Sequence, residues 1–86
     1  MTQEQRIAFL KNARDALGSL ERTDQRPLTQ EAFAVRCGWT GSMQYKYESG
    51  ASEIGDHVVE RVREVLTDAG VDPACLSLTD RRPTAP

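Results

Sequence analysis

Residues 28–50 read LTQEAFAVRCGWTGSMQYKYESG, and the fold turns on how this stretch is parsed. Thr29 is an N-cap residue, and Leu28 and Phe33 stand at the spacing of a hydrophobic staple around it. A short helix is predicted from Gln30 to Cys37. Gly38 closes it, because glycine enters the left-handed region without a Cβ penalty. Trp39 follows and can drop into a core. Thr40 is a second capping hydroxyl, which opens another short helix from Gly41 to about Glu48. Ala34 supplies a small side chain where two backbones must pass closely. The second of these helices is unusual for a core element. It carries Ser42, Tyr45, Lys46 and Tyr47 in place of an aliphatic stripe.

Upstream, Thr2 and Gln5 form a capping-box pattern. Ile7, Leu10, Arg14 and Leu17 fall at helical spacing, with Phe9, Ala13, Ala16 and Leu20 widening the apolar side. A helix is predicted over Gln3–Leu20, with a break left open at Gly18. The stretch 18–27 ends in Pro27, which biases Arg26 away from helical geometry, so it is expected to be an inserted polar loop. Downstream, SGASEIG is turn-rich. From Asp56 onward Val58, Val59, Val62, Val65 and Leu66 define one face, with Glu60, Arg61, Arg63 and Glu64 opposite. Asp72–Pro73 signals a last short turn through Ala74, Cys75, Leu76 and Leu78. Residues 79–86 are expected to be a disordered tail. No strand pattern appears. The chain is predicted to be one all-α domain over residues 1–78, with about five helices, and the pair at 30–48 is a helix-turn-helix candidate.

Composition narrows the function classes. With 86 residues the chain makes one domain and hides only about 60% of its unfolded surface, so a second subunit would help it. Cys37 and Cys75 lack any partner at metal-ligand spacing and are expected to be reduced thiols. The polar start and the lack of a long apolar run point to a cytoplasmic protein. Net charge is −2, but residues 1–47 hold seven Lys or Arg against five acids, and residues 48–86 hold four against eight. A phosphate-facing surface is therefore expected in the first half. No nucleophile–base pair, phosphate loop or cofactor motif is found, so neither an enzyme nor a cofactor is expected.

The same residues resemble a family. Leu28, Gln30, Ala34, Gly38, Ser42 and the ending Tyr47, Glu48, Gly50 follow the pattern of lambda repressor, Cro and Xre-like regulators. Arg14 matches the family arginine that pairs with the glutamate matched by Glu48. VVERVREVL and GVDPACL resemble the fourth and fifth helices. The resemblance spans roughly residues 5–78 and implies a five-helix DNA-binding domain with its third helix in the major groove. Three positions depart from it. The stretch SLERTDQRP is inserted between the first two helices. Gln44 stands where the family buries Ile or Val. An unpaired buried polar group costs about 1–3 kcal/mol, so Gln44 finds a partner, the helix is rotated, or Met43 takes over the packing. Gly41 stands where a base-reading Gln is common.

The resemblance assigns Gln30 to a phosphate and to bracing the third helix. Thr40 caps and reaches a phosphate. Gly41 opens the reading helix. Ser42, Met43 and Lys46 are the expected base-edge residues: Ser42 discriminates weakly, Met43 meets a thymine methyl, and Lys46 meets guanine O6 and N7 or a phosphate. Tyr45 reaches the sugar-phosphate backbone, Ser49 lies in the loop that meets phosphates, and Tyr47 belongs to the core. Arg36 either contacts a phosphate or complements its helix dipole. His57 has no role, and the acidic ridge Glu60, Glu64, Asp68 is a solvated face. Pro73, Leu76 and Leu78 are the expected homodimer surface. The leading expectation is a repressor of transcription binding double-stranded DNA as a homodimer. The alternative is an antitoxin-type interaction module that binds a toxin or other protein and represses its own promoter.

Overall fold

A computed structural model describes residues 1–76, and all regular structure among them is helical. Four α-helices, α1 (Gln3–Glu21), α2 (Gln30–Cys37), α3 (Gly41–Ser49) and α4 (Asp56–Asp68), precede a single 3-10 turn at Pro73–Cys75. Leu78 and the tail lie outside the described residues.

α1, α2 and α3 each start at a capping threonine. Thr2 and Gln5 form a reciprocal capping box, with Gln5 N–H donating to Thr2 Oγ1 at 3.1 Å and Thr2 N–H to Gln5 Oε1 at 2.8 Å. Thr29 accepts from Ala32 N–H and Thr40 from Met43 N–H, both at 3.1 Å. Gly38 ends α2 at φ 93°, a conformation that a residue with a Cβ rarely adopts. α4 lacks a side-chain cap and relies on its apolar stripe.

The core is one cluster. α1 contributes Phe9, Leu10, Ala13 and Leu17, α2 contributes Phe33 and Cys37, and α4 contributes Val58, Val59, Val62, Val65 and Leu66. Leu28 and Phe33, the two members of the staple, are both buried in it. Tyr47 is the buried aromatic of α3, and its ring meets that of Trp39 edge-on at 5.5 Å between centroids. Ile54 anchors the segment before α4. Gln3 brackets its backbone, donating to the carbonyl and accepting from the N–H, both at 2.9 Å.

Two boundaries differ from the sequence expectation. α1 runs unbroken through Gly18 to Glu21, so the first four residues of the supposed loop 18–27 are helical. Gly18 serves close approach instead of breaking the helix. A Cβ there would lie 2.0 Å from the Arg26 carbonyl oxygen and 2.6 Å from Pro27 Cα. The remaining connection therefore folds back onto α1. α3 also extends one residue further, to Ser49.

Candidate nucleic-acid interface

α3 divides into two stripes. Gln44, Tyr47 and Glu48 are buried, while Ser42, Tyr45, Lys46 and Ser49 are exposed at i, i+3, i+4 and i+7. The spacing puts those four on one face of the helix. No carboxylate belongs to that face. Among the described residues the side chains of Ser42, Tyr45 and Lys46 form no hydrogen bond or ion pair, so their donors point to solvent. Ser49 instead donates its hydroxyl to the Lys46 carbonyl at 3.3 Å, which uses it within its own turn. Met43 is half-buried and packs partly against the core, so less of it than the sequence implied faces outward.

What fixes the roll of α3 is a chain of hydrogen bonds beneath it. Trp39 Nε1–H donates to Gln44 Oε1 at 2.8 Å. Gln44 Nε2 donates to Glu48 Oε2 at 2.7 Å. Glu48 also receives Arg14 Nε at 3.0 Å and Nη2 at 2.9 Å. Arg14 Nη1 then donates to the Leu28 carbonyl at 2.7 Å. Gln44 is fully buried, yet both ends of its carboxamide are satisfied. Of the three outcomes left open for this residue, it finds a partner. The Arg14–Glu48 pair is nearly as enclosed, and an ion pair shielded this far is directional and intolerant of losing one member. The chain links the 38–40 turn, α3, α1 and the start of α2.

Gln30 and Tyr45 open onto a shallow cleft of about 230 Å³, shared with Lys11, Arg14, Glu48 and Ser49. Its floor is the Arg14–Glu48 pair, and its rim joins α1, the first turn of α2 and the outer face of α3. Gly41 is occupied differently. A Cβ at this position would stand 3.1 Å from both Cα and Cβ of Glu31, so the stem of Glu31 covers the start of α3. Glu31 thus stands against this edge, in the first turn of α2, where negative charge is favoured.

Arg36 does not lie free for a phosphate. Its Nη1 is 2.7 Å and 2.8 Å from the two carboxylate oxygens of Glu21. The carbonyls at the end of α2 are served instead by Arg61 of α4, whose Nε donates to the Cys37 carbonyl at 3.0 Å and whose Nη2 donates to that of Arg36 at 3.4 Å. Nothing local in the sequence signals that long-range cap. Burial pushes the Cys37 thiol up to about 12, against the smaller opposing pull of Arg61 and Arg36. That thiol is inert at neutral pH.

The acidic residues of α4 lie on its exposed side and are largely engaged. Asp56 pairs with Arg6, Glu64 with Arg61, and Glu60 approaches Arg63 at 3.8 Å. At the far end, Pro73 and Leu76 are half-buried, and Leu76 packs partly against the chain's own core. No helix of the described residues is long and apolar enough to cross a membrane. No protein-family model, curated protein or solved structure matches the chain.

Proposed function

We propose that the protein is a transcriptional regulator of the lambda repressor and Xre-like kind, a repressor that binds double-stranded DNA through a helix-turn-helix formed by α2 and α3. The observation that carries this reading is the outer face of α3. It is a polar stripe of hydroxyls and one lysine, without a carboxylate, on a helix held in register by buried hydrogen bonds. A helix presented this way suits the major groove, where base edges offer donors and acceptors. Lys46 reaches guanine O6 and N7, and Ser42 contacts a neighbouring base. Thr40 keeps its hydroxyl proton for a phosphate while its oxygen caps α3. Gln30 and Tyr45, at the rim of the cleft, take backbone positions that set orientation without reading sequence. Gly41 offers no side chain to a base, so discrimination falls mainly on Lys46.

One such domain makes few contacts and binds weakly. Two copies on half-sites one helical turn apart multiply the affinity, which is the reason to place a homodimer on the operator. Sedimentation of the chain as a monomer at high micromolar concentration, with and without duplex, would remove that part. Selection of bound sequences from a random duplex pool tests the whole reading. Enrichment of a paired motif with fixed spacing supports it, and an unenriched pool contradicts it.

A second reading rests on a different surface. Leu20 and Val35 are 60% and 71% exposed, next in sequence to the Glu21–Arg36 ion pair. Apolar side chains bared there suit a protein partner, as in an antitoxin-type module. A partner retained by a chain that has no affinity for duplex at low salt would favour this reading.

A further inference from the structure

The connection between α1 and α2 is a built turn. Arg22 grips the Asp24 carboxylate through Nε at 3.0 Å and Nη2 at 2.8 Å, and its Nη1 donates to the Pro27 carbonyl at 3.3 Å. Asp24 Oδ1 also accepts the Arg26 N–H at 3.1 Å. The Arg22 hydrogen bond first, then the Arg26 amide, hold the Asp24 carboxyl below its ordinary range. Gln25 completes the turn at φ 57°. On the other side, the Arg26 carbonyl and Pro27 press against Gly18 of α1. The backbone of residue 26 is therefore held from two directions while its side chain is exposed.

Of the charged groups in 18–27, Glu21 is paired with Arg36 and Asp24 with Arg22. The Arg26 guanidinium is in no ion pair among the described residues.

Lys11, Arg14 and Gly18 fall at i, i+3 and i+7, on one stripe of α1. The first two open onto the cleft with Gln30 and Tyr45, and the third carries Arg26. Seven residues of helix span about 10 Å. The four residues from Arg26 to Gln30 reach at most about 14 Å. A phosphate strand crossing the cleft rim thus passes within range of Arg26.

We propose that Arg26, mounted on the Arg22–Asp24 turn, contacts a DNA backbone phosphate beside the cleft and adds sequence-independent affinity. The inference rests on the DNA-binding reading of α3. It is tested by equilibrium binding of the full chain to a selected duplex and to a random duplex across a salt series, for the native protein, Arg26→Ala, Arg26→Lys and Lys46→Ala. Arg26→Ala is expected to weaken binding to both duplexes by the same several-fold factor. The slope of log K against log salt should become shallower by about 0.9, with the melting temperature unchanged. Arg26→Lys should restore the slope. If Arg26→Ala leaves slope and affinity unchanged while Lys46→Ala still weakens binding, the proposal fails and the α3 reading stands. A loss confined to the selected duplex also overturns it, because a phosphate contact carries no sequence preference. If the native chain binds neither duplex at low salt, both fall together.

Discussion

α4 and α3 are neighbours in sequence but solve burial in opposite ways. α4 buries Val58, Val59, Val62, Val65 and Leu66 and gives its other side to charges. α3 buries Gln44, Tyr47 and Glu48. The apolar stripe of α4 is adhesive but non-directional, so small rotations cost little. The polar stripe of α3 is directional. Gln44 and Glu48 are satisfied only if Trp39 and Arg14 meet them at hydrogen-bond distance. A helix whose outer face must present donors at fixed positions gains from the second solution, because its roll is set by geometry and not by hydrophobicity alone.

Breaking the polar arrangement at its charged end should have the largest effect. Glu48→Leu leaves Arg14 buried without a counter-charge and removes an acceptor from Gln44. The expected cost is about 3–5 kcal/mol in chemical denaturation. Adding Arg14→Met to that variant should recover much of the loss, since an apolar pair replaces an ion pair nearly neutrally. Leu66→Ala tests the apolar counterpart on α4. It should cost about 2–5 kcal/mol through lost transfer energy and the cavity left behind, and it should leave the environment of Trp39 unaltered. Gln44→Leu is milder, at about 1–3 kcal/mol, because Trp39 is half-buried and water can replace the lost acceptor. It should move the emission of the chain's only tryptophan, which Leu66→Ala should not. Lys46→Ala should leave the melting temperature unchanged while weakening binding to a selected duplex by about 1–3 kcal/mol in a gel-shift titration.

The smallest effect lies where α4 meets the end of α2, with Arg61 capping that helix over Cys37. An unfolded thiol ionises near about 8.5, and the folded one near about 12. Between those values the folded chain binds more protons than the unfolded one, so stability falls as pH rises through this window and is flat below it. Cys37→Ala should lessen that alkaline slope. A thiol reagent at neutral pH should label exposed Cys75 at once and Cys37 only at the rate of opening.

The sequence made the local features legible. Thr2, Thr29 and Thr40 cap helices, Gly38 ends one in the left-handed region, and the apolar rows of α1 and α4 face the core. Each of these signals is complete within a few residues. What was missed depends on residues far apart in the chain. At Gly18 the sequence leaves a helix break open, because the requirement it meets comes from Arg26 and Pro27 after the chain has folded back. Arg36 looked available until Glu21, fifteen positions earlier, met it across the α1–α2 seam. Gln44 is a local case, for which the sequence leaves a partner, a rotated helix or repacking by Met43 open. Its partners Trp39 and Glu48 lie at i−5 and i+4, and the indole N–H meets the carboxamide across the Thr40 cap. The face of α3 was legible for a simpler reason. Ser42, Tyr45 and Lys46 follow helical spacing from the Thr40 cap, whereas Ser49, expected in the following loop, ends the helix, and Met43, expected at a base edge, turns partly to the core.

The division of labour between α3 and α4 is tested most directly by following backbone amide resonances while duplex DNA from the selected pool is added at low salt. Shifts should concentrate at Thr40–Ser49 and around Gln30, and residues on the exposed side of α4 should stay still. Shifts centred on Asp56–Asp68, or none on α3 at saturating duplex, would contradict the account.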